Sequence, residues 1–427
     1  MTSAWPYLET LDQNADLDFF GWVVAAYSFG QMISSWLFGY WNQKTMSTKH
    51  PAICGLTLAI LGNILYGFLP LFSSNHKWYM IVARLLTGWG SGTLSIIRSY
   101  CAMASTLEDR TRAVSLATGA FVLGISIGPS IQSLFVSLGE GDSKVLFFPV
   151  NMYTTPAFAM VVVCLAAITV LATCFKENYV GVITDGKKQV AFNVKNFNEL
   201  KSLFNQFTDP FLVIPKFDRT PAFICIYITF VMQMVATGLE VIATPLTVAL
   251  YNWTNEDALR YNGIIQTCSA AIDVVNYILL SFTRVRQFDK RVLLIIGICC
   301  FILYQLLTLP WPFYGGPLDY IKLAPNATVE DTSYSGGCSR SYSWCSHTTR
   351  VPLFLYAFSY VAVLGIGFPY ISAPTGVLFS EILGPRKQGM MQGIFAFFGS
   401  LARCVTPLYQ SYVLMPIILN NKIRLSE

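Results

Sequence analysis

Charge is what this chain has least of. Only 12% of its 427 residues are Asp, Glu, Lys or Arg, where an ordinary soluble domain carries about 25%. So few charges cannot cover the water-facing surface of a soluble globular fold of this length. Histidine is scarcer still, with three residues at His50, His76 and His347. They fall in loops without ligand spacing, so no metal site and no cofactor is expected. The chain does not open like a cleavable signal peptide, because Met1 to Phe20 has no basic leader and carries four acidic residues. The net charge of +5 is not a nucleic-acid signal either, since the basic residues fall at the ends of apolar runs, where they orient a membrane protein.

What is present is apolar length. Hydrophobic residues make up 54% of the chain, and several runs exceed the roughly 18 residues needed to cross a bilayer. Helices are expected at about 21–41, 51–71, 79–103, 112–138, 156–175, 221–249, 261–282, 292–314, 352–380 and 389–415, ten spans of an all-α polytopic membrane protein. Alternate connections then face opposite sides. One side collects 17 Lys and Arg residues, among them Arg110, Arg112, Lys290 and Arg291, and the other collects 8. The bias of cytoplasmic loops toward Lys and Arg makes the richer side cytoplasmic. The loop from Gly315 to Arg350 therefore faces outward or into a lumen. It holds a glycosylation acceptor, Asn326-Ala-Thr328, and Cys338 and Cys345, the only two of eleven cysteines clearly outside helices. In an oxidising compartment these two are expected to pair.

A repeat runs through the chain. Pro129-Ser-Ile-Gln132-Ser133 recurs as Pro407-Leu-Tyr-Gln410-Ser411, Gly88-Trp-Gly90 recurs as Gly365-Ile-Gly367, and Gly21 has a counterpart at Gly263. The densest motif region runs from Arg84 to Pro129. There Arg84, Gly88, Gly90 and Gly92 lead through the charged turn Asp109-Arg110-Thr-Arg112 to Gly124-Ile-Ser-Ile-Gly128-Pro129. Small residues at these intervals let helix backbones approach closely in lipid, so a packed pair of membrane helices is expected. Gly124-x-Ser126-x-Gly128 also matches a serine nucleophile elbow. That device needs a strand-to-helix turn, which an apolar helix does not supply, and no enzyme is expected.

Ionisable residues inside spans are functional candidates by default. They are Arg84, Arg98, Glu240, Asp273 and Arg403. Glu240 and Asp273 could take up and release a proton, or could pair with Arg403 to hold helices together. Arg403 itself, permanently charged, suits an anion anchor or counter-ion. Arg84 either lines the pathway or snorkels to the interface, and Arg98 is expected to partner loop charges at the cytoplasmic end. Asp109-Arg110 and Asp289-Lys290-Arg291 are expected to latch the two halves.

These motifs resemble the fourth-helix, fifth-helix and gating-loop signatures of the major facilitator superfamily. The resemblance implies two pseudo-symmetric helical bundles, at 1–175 and 221–427, joined by a cytoplasmic linker at 176–220. About ten of that fold's twelve helices are expected, without the first and last. Trp5-Pro6-Tyr7-Leu8, Tyr27-Ser-Phe-Gly30-Gln31-Met32, Asn151-Met-Tyr-Thr-Thr-Pro156, Thr244-Pro-Leu-Thr247 and Tyr261-Asn-Gly-Ile-Ile265 further resemble the lysosomal transporters linked to neuronal ceroid lipofuscinosis type 7. This second likeness implies a monomeric multi-pass protein of the lysosomal or late endosomal membrane with a glycosylated luminal loop. Its substrate would be a small inorganic or organic anion, chiefly chloride, with proton coupling and alternating access about a midplane cavity. The contrasting expectation is a truncated, non-transporting isoform or an incomplete gene model.

Overall fold

The computed structural model describes residues 4–12, 17–72, 74–106, 109–135, 143–145, 148–179, 217–323, 335–340, 343–384 and 387–410. Long helices dominate them. After a short α1 (Ala4–Leu11) come α2 (Leu17–Thr45), α3 (Lys49–Gly67), and α4 (His76–Ser91) running on through Gly92 into α5 (Thr93–Ala104). Next are α6 (Arg110–Leu134), α7 (Thr155–Thr173), α8 (Arg219–Tyr251), α9 (Asn255–Phe282) and α10 (Lys290–Thr308). A broken rod follows, made of α11 (Leu353–Phe358), a π-helical turn (Ser359–Leu364) and α12 (Gly365–Leu383), and α13 (Gly389–Tyr409) is the last described element. Among the described residues seven helices, with α4–α5 and α11–α12 each taken as one, are apolar and long enough to cross a membrane, against the ten spans expected.

Where the described residues reach them, expected and observed helix ends agree within a few residues, except at α9, which starts six residues early at Asn255, and α10, which stops at Thr308; the expected ends at 138 and 415 lie outside the described residues. Thr254 explains the first, since its hydroxyl accepts from the Asp257 N–H and caps the helix ahead of the apolar run. No helix is expected from sequence at α1, whose Tyr7 and Leu8 are buried against Leu69, Met80 and Tyr153.

Glycine decides how the rods meet. A Cβ at Gly88 would collide with the Tyr27 carbonyl of α2, and one at Gly90 would lie 2.7 Å from the Gly55 carbonyl of α3. The repeated pair makes the same contacts: Gly365 lies against Ile272 of α9, and Gly367 against Cys300 and Phe301 of α10. Gly92 meets Ser34 of α2. The first-half helices α2, α3, α4 and α7 thus pack together, as do α8, α9, α10, α12 and α13.

Between the two sets, α2 crosses α13 and α6 crosses α9. At the first crossing a Cβ on Gly39 would sit 2.6 Å from the Gly389 carbonyl and 2.9 Å from Gly393 Cα. At the second, a Cβ on Gly119 would sit 2.9 Å from Tyr277 Cβ. Polar contacts hold the same end. The Met390 N–H donates to Gln43 Oε1 at 2.8 Å, and Arg110 Nη1, buried, donates to the Ser380 carbonyl at 3.5 Å. Lys290 pairs with Glu381 at 3.7 Å within the second set, and Asp289 caps α10. The latch between the sets is therefore Arg110, and Lys290 works locally. Among the described residues Asp109 bonds locally, to Thr106 and, through its carbonyl, to the Ala113 N–H of α6.

Gly124 and Gly128 correct the packing expectation. Both are exposed on α6, and a Cβ at either meets nothing within 4 Å. The same holds for Gly21 at the start of α2 and Gly263 near the start of α9. Pro129 lies inside α6. Close contacts between the sets thus gather at the end carrying the basic turns, and these four glycines, toward the other end, are uncovered.

That other end carries a lid. Gly315–Pro317 pairs with Thr349–Arg350, Cys338 is bonded to Cys345 with Cα atoms 6.1 Å apart, and both cysteines are buried with Leu318 against Ala249 and Leu250 of α8. Gly337, at φ +136, donates its N–H to the Val248 carbonyl, a backbone conformation that favours glycine. Asp319 accepts from Arg350 Nη2 at 2.6 Å and from Asn252 Nδ2 at 2.7 Å. These two bonds hold the exposed Asp319 carboxyl below the usual carboxylate range. Asn326 lies outside the described residues. At the basic end Glu177 caps α3, accepting from the Thr48 N–H at 2.9 Å, and Tyr179 bonds Thr48 and Glu177.

Two outcomes follow. Gly393→Val is expected to destabilise the purified protein by about 1–3 kcal/mol through overpacking, whereas Gly124→Ala is expected to be neutral or stabilising by up to about 1 kcal/mol; thermal melting in detergent measures both. Because the Asp319 carboxyl is depressed, its contribution to holding the lid is present above the ordinary carboxylate value of about 3.9 and is lost only as pH falls through the lower folded value. Hydrogen exchange of residues 315–323, corrected for intrinsic rates, is expected to be as slow at pH 5 as at pH 7, and faster at both in Asp319→Asn.

Candidate functional site

The site forms where five rods bring polar side chains to the middle of an apolar bundle. From α8 come Gln233 and Glu240, followed by Pro245, which cannot donate a helical hydrogen bond. Asp273 and Tyr277 sit four residues apart on α9 and so share one face. Arg403 comes from α13, Arg98 from α5 and Tyr27 from α2.

Their arrangement is a ring of charges held near one another without neutralising contact. Arg403 donates its Nε–H to Gln233 Oε1 at 2.8 Å and lies within electrostatic reach of Tyr27 and Glu240. Arg98 lies within reach of Tyr277 and Arg403. Tyr277 adjoins Asp273, its hydroxyl is 2.5 Å from Ser372 Oγ of α12, and its stem packs on Gly119. Tyr360, carried by the π-helical turn, faces both Glu240 and Asp273. Among the described residues no carboxylate forms an ion pair with Arg98 or Arg403, and Asp273 Oδ1 is buried with no hydrogen-bond partner.

Four of the expected residues are thereby redistributed. Glu240, Asp273 and Arg403 share the ring, but neither carboxylate pairs with Arg403, which spends its Nε–H on Gln233. Arg98, expected to answer loop charges, belongs to this ring instead, because α5 turns it toward α9 and α13. Arg84 lies elsewhere, beside the Tyr66 ring of α3 at 5.7 Å, with its Nε buried and unpartnered. Tyr27, Gln233, Tyr277 and Tyr360 were not singled out by sequence. The i, i+4 spacing of Asp273 with Tyr277 and of Tyr356 with Tyr360 was the available signal.

A small cavity of about 90 Å³ adjoins the ring on its lid side, lined by Glu240, Thr244, Asn262, Gln266, Tyr356 and Tyr360 among others. Such an assembly can hold a charged or polar solute at depth and offers no nucleophile poised beside a base.

Two helical sets crossing in pairs around a polar centre have the architecture of a membrane carrier, and the family assignment agrees. The model of the Major Facilitator Superfamily matches residues 1–325, and the chain belongs to that superfamily, whose members are transporters of small molecules. It is 31% identical to Major facilitator superfamily domain-containing protein 8 of Xenopus laevis, over 97% of this chain and 81% of the relative. Among solved structures it resembles the Escherichia coli fucose:proton symporter (TM-score 0.61, 15% identity, 96% of this chain and 87% of that one). It also resembles the human organic anion transporter MFSD10 (TM-score 0.59, 14% identity, 97% and 83%).

Proposed function

We propose that this protein is an anion pathway of the lysosomal or late endosomal membrane, with chloride as its principal ion, and that residues 1–175 and 221–427 rock about the central ring while the 176–220 segment links them. The fold alone does not choose the solute, since a sugar symporter and an organic anion transporter share it. The observation that carries the reading is the pair of arginines, Arg98 and Arg403, facing one another's field with no carboxylate in contact. Two guanidinium groups held in low dielectric raise each other's energy, and an anion between them relieves that cost. The lysosomal part rests on the motif set around Tyr27, Asn151 and Tyr261.

In this scheme Arg403 and Arg98 hold the anion, and Gln233 aims the Arg403 guanidinium. Asp273, whose Oδ1 finds no partner, takes up and releases the proton that accompanies exchange between the two sides. Glycosylation at Asn326 marks the lid side as luminal. Arg110, bonded to Ser380 across the sets, is the contact that must break when the basic end opens.

Chloride flux into proteoliposomes tests this. Arg403→Ala is expected to lower flux about tenfold or more, the equivalent of losing about 1.4 kcal/mol at one charged contact. Asp273→Asn is expected to keep flux and flatten its dependence on pH. Unchanged flux in both Arg403→Ala and Arg98→Ala rules the reading out.

A further inference from the structure

We infer that the cavity on the lid side of the arginine pair is a subsite for a small organic ammonium cation. Three independent features meet there. Glu240 is exposed to the cavity, and among the described residues no Lys or Arg lies within ion-pair distance of it. Two tyrosine rings, Tyr356 and Tyr360, form part of the wall, with centroids 6.2 Å apart. Tyr360 is placed by a π-helical turn, Ser359–Leu364, a local departure from α geometry that is found most often at functional sites. Its carbonyl is steadied by the Ser269 hydroxyl at 3.2 Å.

The chemistry favours a cation over a neutral polyol. Both are recognised by tyrosine faces, but a polyol needs free amide and hydroxyl groups to satisfy its own. Here Asn262 Nδ2 is committed to Thr247 Oγ1 at 2.8 Å, and the Gln266 amide faces the Tyr360 hydroxyl. The charged group in the cavity lining is the Glu240 carboxylate, set beside aromatic faces, the combination that attracts an ammonium group by charge and by the ring quadrupoles. At about 90 Å³ the cavity takes the head of a small organic ammonium cation and not a sugar ring with its water shell. The carbon stem of such a ligand would extend toward Leu259 and Ile265, which also line the wall.

Binding to the purified protein in detergent tests the subsite without any flux, so a null result here leaves the chloride reading standing. Choline chloride is titrated calorimetrically against its neutral isostere 3,3-dimethylbutan-1-ol, with glucose as the polyol, all at one chloride concentration. Choline is expected to bind about tenfold or more tightly than the isostere, and Glu240→Gln is expected to abolish that preference. Tyr360→Leu is expected to weaken choline while leaving the isostere unchanged. Equal binding of choline and the isostere by the unaltered protein overturns the proposal with no variant needed. So does Glu240→Gln binding choline like the parent, or glucose binding more tightly than choline.

Discussion

Everything in this molecule depends on how closely α2 and α13 approach. In lipid there is no hydrophobic gain in bringing two apolar rods together, so contact has to come from backbone fit. Gly39, Gly389 and Gly393 provide it by leaving no side chain between the helices. Polar groups next to that seam are then satisfied within it. Ser95 of α5 donates to the Ser35 carbonyl at 3.3 Å, and Ser99 donates to Asn42 Oδ1 at 3.3 Å. With α2, α5 and α13 drawn this close, Arg98 and Arg403 arrive in one another's field. A bulkier residue at Gly39 would move the two arginines apart as well as loosen the seam.

The central ring is expensive, and the expense is informative. Charged side chains at membrane depth ordinarily pair with one another, and here Arg403 lies near enough to feel Glu240 and Arg98 lies near enough to feel Arg403, yet among the described residues none of them forms an ion pair. A bundle built only for stability would have closed the Glu240–Arg403 pair and gained a contact. Gln233 works against that closure by occupying Arg403 Nε–H, and Ser372 holds Tyr277 on the far side of Asp273. Positive charge thereby collects on the α5–α13 side of the ring, and negative charge on the α8–α9 side below the lid. A solute entering from the lid would meet the carboxylate and tyrosines before the arginines.

How much of this could be read beforehand differs by residue. Rod positions were legible, because apolar length has no competing explanation, and so were Gly88 and Gly90, whose repeated partners Gly365 and Gly367 make equivalent contacts. Gly124 and Gly128 carry the same local pattern and pack on nothing, since a pattern on one helix does not say whether another passes by. Arg98 was misjudged from its distance to the helix end. Its role is set by α9 and α13, residues far away in sequence. The cavity tyrosines could not be distinguished from an interfacial aromatic belt without knowing that the rod carrying Tyr360 is broken by a π-helical turn. The short α1 was missed because eight residues are too few to show a helical apolar period, although Tyr7 and Leu8 are buried.

The glycines also fix the state in which the molecule is caught. Close approach between the sets occurs at Gly39, Gly119, Gly389 and Gly393, all toward the basic turns, where Arg110 and Gln43 add cross-set bonds. Gly21, Gly124, Gly128 and Gly263, toward the lid, face open space. Close contact between the sets is therefore concentrated at the basic end of the rods. Under the proposed rocking motion, opening the basic end would separate this backbone-to-backbone seam together with the Arg110 and Gln43 side-chain bonds that cross it. In the same scheme the uncovered glycines at the lid end would let those faces close on backbone without a steric barrier, moving the seam from one end of the rods to the other.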